Sequence, residues 1–170
     1  RDVLDAYMEE TATLDLAGER HLAPIPTGFS ALDKLLGGGL QRSDMVVVAA
    51  RPSLGKSTLA FNIARNAAEY GAVVGVFSLE MSREQVGMRL VSSEANIDSY
   101  RLRVGLTSEA EDRRVLDAIG LLSGLPIYID DTPIQSIVEM RSKARRLQME
   151  RGVDVMVVDY LQLISGSGGR

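Results

Sequence analysis

Gly55, Lys56 and Ser57 stand in a row where an apolar run gives way to helical spacing. A lysine ammonium beside a serine hydroxyl, on a loop whose glycine lets backbone N–H groups approach a ligand, is equipment for binding phosphates. The run 45–50 ahead of it (Met45, Val46, Val47, Val48, Ala49, Ala50) reads as a parallel strand covered on both faces. Leu59, Ile63 and Ala67 behind it recur at helical spacing. Strand, loop and helix in that order predict that Lys56 reaches the outer phosphates of a nucleotide and that the Ser57 hydroxyl ligates Mg²⁺. The nucleotide-binding set is then Ser53, Leu54, Gly55, Lys56, Ser57 and Thr58, with ATP and Mg²⁺ as the expected ligands. One position departs from the usual phosphate-loop pattern, in which four residues separate a first glycine from the Gly-Lys pair. Here it is Ala50.

Carboxylates gather at the same edge. In an open parallel sheet, ligands sit at the carboxyl ends of the strands. Phe77-Ser78-Leu79-Glu80, Asp130-Asp131 and Val157-Val158-Asp159 each close an apolar run with an acid. Carboxylates beside phosphates repel them unless a cation mediates, and Mg²⁺ accepts one or two carboxylates while keeping several waters. Asp159, after Val155, Met156, Val157 and Val158, has the pattern of a Walker B acid and is the second expected Mg²⁺ ligand beside Ser57. Glu80 is the candidate general base that orients and deprotonates an attacking water. The plainer alternative is an acid favoured near the N-terminus of the following helix. Asp130 and Asp131, followed by Thr132-Pro133, read as a turn and cap rather than as metal ligands.

These groups need a frame to hold them. With 170 residues, 45% hydrophobic and 25% charged, the chain is one soluble globular domain in size and composition. Helical patterns alternate with strands at 73–79, 125–130 and 153–158, which predicts an α/β fold with a mostly parallel sheet flanked by helices. Ser82-Arg83-Glu84-Gln85, Ser108-Glu109-Ala110-Glu111 and Ser136-Ile137-Val138-Glu139 are capping-box patterns that open three of the helices. Val115, Leu116, Ile119 and Leu122 supply the apolar residues of the second. Phe29, Leu32, Leu35 and Leu36 make a short helix that Gly37-Gly38-Gly39 closes. Ahead of it, Val3, Leu4, Tyr7, Met8, Thr11 and Leu14 form the stripe of an opening helix that Gly18 ends. Residues 1–26 are therefore read as a linker helix and connecting segment, and 27–170 as the nucleotide-binding domain.

Several classes fall away. Without cysteine there are no disulfides or thiolate metal sites, which suits a reducing cytoplasm. A lone histidine, His21, cannot build a metal site and reads as a loop residue. No apolar run is long enough to span a membrane, and no signal-peptide pattern opens the chain. A first residue of Arg rather than Met suggests a piece of something longer. The net charge of −4 argues against a surface devoted to nucleic-acid phosphates. Arg141, Lys143, Arg145, Arg146 and Arg151 on one helix read as a solvated face, with Glu139–Lys143 and Arg146–Glu150 as i,i+4 pairs. Met140, Ala144 and Leu147 would be that helix's buried stripe, and Met81, Met88, Met140, Met149 and Met156 read as core or gap-fillers.

Taken together, these segments resemble the RecA-type ATPases, and among them the bacterial replicative helicases of the DnaB type. The likeness rests on Thr27-Gly28-Phe29 with Leu32-Asp33, Gly39-Leu40, the block from Ala49 through Ser57, Phe77-Ser78-Leu79-Glu80-Met81, Ile129-Asp130-Asp131, Arg141-Ser142-Lys143-Ala144-Arg145-Arg146 and Val158-Asp159-Tyr160-Leu161-Gln162-Leu163. Alanine at the place of Ala50 is tolerated in that family. The resemblance implies a RecA-like core, a homohexameric ring, ATP hydrolysis at subunit interfaces, translocation on single-stranded DNA, and primase and loader as further partners. It assigns Lys56 and Ser57 to phosphate and Mg²⁺, Glu80 to the base, Asp159 to Mg²⁺, and the opening helix to a linker that packs on a neighbouring subunit. It also places the phosphate-sensing glutamine, the arginine finger and most DNA-binding loops beyond Arg170, with 165–170 starting one such loop. Gln162 is not that sensor. Another RecA-type ATPase, of recombinase or clock type, and a regulatory nucleotide-binding module are the competing readings. The block from Asp159 to Leu163 and the linker helix favour the helicase over the former, and Glu80 counts against the latter.

Overall fold

The computed structural model describes residues 23–164. The opening helix, Gly18, His21 and the 165–170 loop lie outside the described residues. Within them the order is α1 (Ser30–Leu35), α2 (Lys56–Glu69), β1 (Val74–Ser78), α3 (Arg83–Ala95), α4 (Ser99–Arg103), α5 (Glu109–Ser123), β2 (Ile127–Asp130), α6 (Ile137–Arg151), β3 (Val155–Asp159) and a 3₁₀ turn at Leu161–Leu163.

The three strands form one parallel sheet in the order β2-β1-β3. As the middle strand, β1 is buried along its whole length. Val74 and Val76 face α2, whose Phe61, Ala64, Ala67 and Ala68 complete the main core. Three alanines on that face let the helix lie close to the sheet. On the opposite face Gly75 is required: a Cβ there would come within 2.6 Å of the Met156 sulfur and 3.2 Å of Leu147. A second, smaller cluster of Ala95, Ile97 and Ala118 joins α3 to α5.

All three capping boxes form as the sequence predicts, at Ser82/Gln85, Ser108/Glu111 and Ser136/Glu139. The glycine run does stop α1, with Gly37, Gly38 and Gly39 all at positive φ. The short helix α4 was not legible as a period because it is only five residues long; its Asp98 cap, which accepts from the Tyr100 and Arg101 N–H groups, was the available signal.

Helix α5 carries the apolar residues the sequence assigns to it: Val115 and Leu122 pack beside the cores, Ala118 is buried against α3, and Leu116 and Ile119 face outward. Three expectations are corrected. Residues 45–50 form no strand: they join no ladder among the described residues, and Met45, Val46, Val47 and Val48 are exposed. An apolar β-rich run becomes a buried strand only where a neighbour offers its backbone edge, and none of the described residues does so here. The i,i+4 pairs on α6 do not form. Glu139 instead accepts from the Ser136 amide and hydroxyl, and Lys143 reaches Asp130 at 2.6 Å. Finally, Met88, Met149 and Met156 are exposed; of the five methionines only Met140 is fully buried.

Candidate nucleotide site

The candidate phosphate loop, residues 51–55, is exposed. Ser53 and Gly55 both adopt left-handed backbone, at φ 65° and 86°. That coil turns the chain straight into α2 at Lys56. No side chain caps the helix, so its first N–H groups keep their donor capacity for a ligand. A Cβ on Gly55 would meet nothing within 4 Å, so glycine is needed there for conformation and not for room. Leu54 is exposed, and Thr58 accepts a 3.3 Å hydrogen bond from Arg89 of α3.

Lys56 lies across the loop from the end of β3. Its ammonium is 3.2 Å from Asp159 Oδ1 and 3.9 Å from the centre of the Tyr160 ring. Asp159 is 3% exposed, and its second oxygen, Oδ2, is buried without a hydrogen-bond partner. A buried anion with half its acceptor capacity unused is costly, and a cation or donor seated there would relieve it. The tertiary structure thus brings together Lys56 and Asp159, which are 103 positions apart by their numbering. Tyr160 escaped the residue-by-residue reading because a ring following a strand carries no sign of what it will touch.

Glu80 lies at the end of the neighbouring strand. Ser78 and Asp159 are register partners, and the Leu79 amide donates to the Asp159 carbonyl at 2.8 Å. Glu80 follows at once, exposed, with no hydrogen bond or ion pair of its own among the described residues. Lys56 and Asp159 therefore meet at the sheet edge where the strand leading to Glu80 also ends, and Ser57 follows Lys56 in the first turn of α2.

Asp130 and Asp131 serve the fold. Asp130 accepts from the Thr132 amide and from Gln135, and pairs with Lys143. Burial pushes its carboxyl up, but the Lys143 and Thr132 bonds outweigh burial and hold it below the usual range. Asp131 accepts from the Arg83 amide at 2.9 Å. Among the described residues no three acids or histidines cluster as a ready-made metal cage. Two clefts, about 150 Å³ between the sheet and α6 and about 310 Å³ beside Phe29 and Asn66, lie away from the phosphate loop.

Residues 24–170 match the family described as DnaB-like helicase C terminal domain. The chain belongs to this family. Among curated relatives, the replicative DNA helicase DnaB of Geobacillus stearothermophilus is 42% identical over 171 residues, which cover 99% of this chain and 37% of that protein. The Nostoc replicative DNA helicase DnaB is 50% identical over 150 residues, covering 86% of this chain and 17% of that protein. The chain thus spans little more than a third of the first and less than a fifth of the second. Two solved structures are similar. One is of an ATPase domain, with TM-score 0.83 and 29% identity, covering 98% of this chain and 58% of that one. The other is a DnaB-like replicative helicase described with its interactions with primase, with TM-score 0.81 and 32% identity, covering 95% and 39%. The RecA-like α/β core expected from the sequence is the fold of these neighbours.

Proposed function

We propose that this chain is part of the ATP-driven motor of a replicative DNA helicase, with residues 1–26 as a linker and 27–170 as the RecA-like ATPase portion. The observation that carries the reading is the Lys56–Asp159 contact across the sheet edge, with Asp159 Oδ2 left free beside it. Each group compensates the other where a nucleotide and its cation would otherwise do so. On binding ATP, Lys56 would exchange the Asp159 carboxylate for phosphate oxygens, with the amides of Gly55, Lys56, Ser57 and Thr58 around them. Asp159, so released, and the Ser57 hydroxyl would hold the cation. Bound Mg²⁺ would offset charge on the phosphates during transfer to water. Glu80 would accept the proton of the attacking water.

The family membership supports the further elements: a homohexameric ring, single-stranded DNA as the track, primase and a loader as partners, and work in the bacterial cytoplasm. No described helix is long and apolar enough to cross a membrane. The test is paired. ATP turnover and forked-duplex unwinding are measured on the intact protein and on Glu80→Gln. The variant should bind Mg-ATP nearly as well as the parent and turn it over about 10²-fold more slowly, the loss expected for a positioned base. Hydrolysis without any DNA dependence, or strand exchange in place of unwinding, would overturn the helicase reading. Normal turnover by Glu80→Gln would remove Glu80 from the mechanism.

A further inference from the structure

Glu80 has nothing of its own to aim it. Its side chain is exposed and unbonded among the described residues, so its direction is set by the backbone of the turn that carries it, residues 79–82. That turn is pinned from below by one buried hydroxyl. Ser78 is 1% exposed, and its Oγ donates to the Met81 carbonyl at 2.7 Å, closing a loop around Glu80. Strand alternation puts Ser78 on the same face as Val74 and Val76, where an apolar side chain would suit the core. A hydroxyl there is tolerable only because it is bonded. The other end of the turn is also held: Asp131 accepts from the Arg83 amide at 2.9 Å, and the Ser82/Gln85 box opens α3. On the inner side, the Leu79 amide bonds the Asp159 carbonyl. The turn therefore has fixed ends, and its middle is closed by Ser78.

We propose that Ser78 is a positioning residue for Glu80, holding the Met81 carbonyl so that the Glu80 carboxylate projects to the phosphate end of the site. The inference rests on the base role given to Glu80 above. Without the hydroxyl, the Met81 carbonyl is free to turn and the intervening residue swings with it. An error of about 1 Å in a reacting group costs up to roughly 10²-fold in rate. The nucleotide contacts at 53–58 are not part of the turn and keep their geometry.

The experiment measures kcat, KM and Mg-ATP affinity for Ser78→Ala, Ser78→Thr, Glu80→Gln and Ser78→Ala/Glu80→Gln in the intact protein. Ser78→Ala should lower kcat about tenfold, with nucleotide affinity within about twofold of the parent. Ser78→Thr, which keeps the hydroxyl, should recover most of the rate. The double variant should be no slower than Glu80→Gln alone, because two residues acting through one carboxylate are not additive. Ser78→Cys, of similar size but a poorer donor, carries the same test if the alanine variant does not fold. Full turnover by Ser78→Ala beside a crippled Glu80→Gln would overturn the Ser78 inference and leave the base standing. Multiplied losses in the double variant, or weakened nucleotide affinity in Ser78→Ala, would likewise overturn it by placing Ser78's effect elsewhere. Normal turnover by Glu80→Gln would overturn both.

Discussion

Removing Lys56 and removing the charge of Asp159 break the same contact, yet the structure requires unequal costs. At 3.2 Å and an effective dielectric constant of about 20, the gross attraction is about 5 kcal/mol, most of it offset by the desolvation of a buried carboxylate. What differs is the group left behind. The Lys56 side chain is 28% exposed and the Asp159 side chain 4%. In Asp159→Asn the stranded ammonium can turn to water. In Lys56→Ala a buried anion remains, with Oδ2 already lacking a partner and Oδ1 losing its cation. Stranding a buried charge costs about 3–5 kcal/mol, so Lys56→Ala should lose about 3 kcal/mol of stability and Asp159→Asn about 1 kcal/mol. The difference of about 2 kcal/mol is roughly 30-fold in the unfolding equilibrium. Adding Asp159→Asn to Lys56→Ala should restore stability, because the buried charge is gone. Urea unfolding without nucleotide or Mg²⁺, run on the parent and the three variants, checks this ordering. Equal losses in the two single variants, or a double variant no more stable than Lys56→Ala, would refute the argument that Asp159 is the costly partner.

Other outcomes follow from single contacts. Asp159→Asn should bind ATP nearly as well without Mg²⁺ as with it, since Lys56 is released while the cation loses a ligand; titration with a fluorescent analogue at varied Mg²⁺ reads this directly. Gly39→Ala should lower the melting temperature by several degrees, because its Cβ would overlap the Ile25 carbonyl, which is fixed by the Ile25–Leu40 bridge, and its φ is 139°. On α5, the Arg101 guanidinium, with the Ser108 amide and hydroxyl, holds Glu111 down to about 2. A depressed carboxylate contributes stability above its unfolded value, near 4.5, and that contribution is lost as pH falls toward 2. Carbon-detected NMR titration should place Glu111 well above 2 in Arg101→Ala, and the variant's stability should fall less over that interval.

Much of the candidate site was legible in the chain itself because its parts are local. Gly55, Lys56 and Ser57 form one turn, and the capping boxes at Ser82, Ser108 and Ser136 each close within four residues, so local physics suffices to predict them. Glu80 and Asp159 were legible as acids ending apolar runs, and parallel strands bring such ends to one edge. The sequence by itself therefore determined the α/β class, the strand ends and the types of group that meet. The tertiary structure alone decided which groups touch. Lys56 meets Asp159 and the Tyr160 ring, Ser78 closes the Glu80 turn, and Lys143 leaves Glu139 for Asp130. It also decided that 45–50, the most strand-like stretch by composition, has no ladder among the described residues. The reason is common to all four. Burial, pairing and partner choice depend on which distant segment arrives alongside, and that is a property of packing that no residue's own type or spacing records.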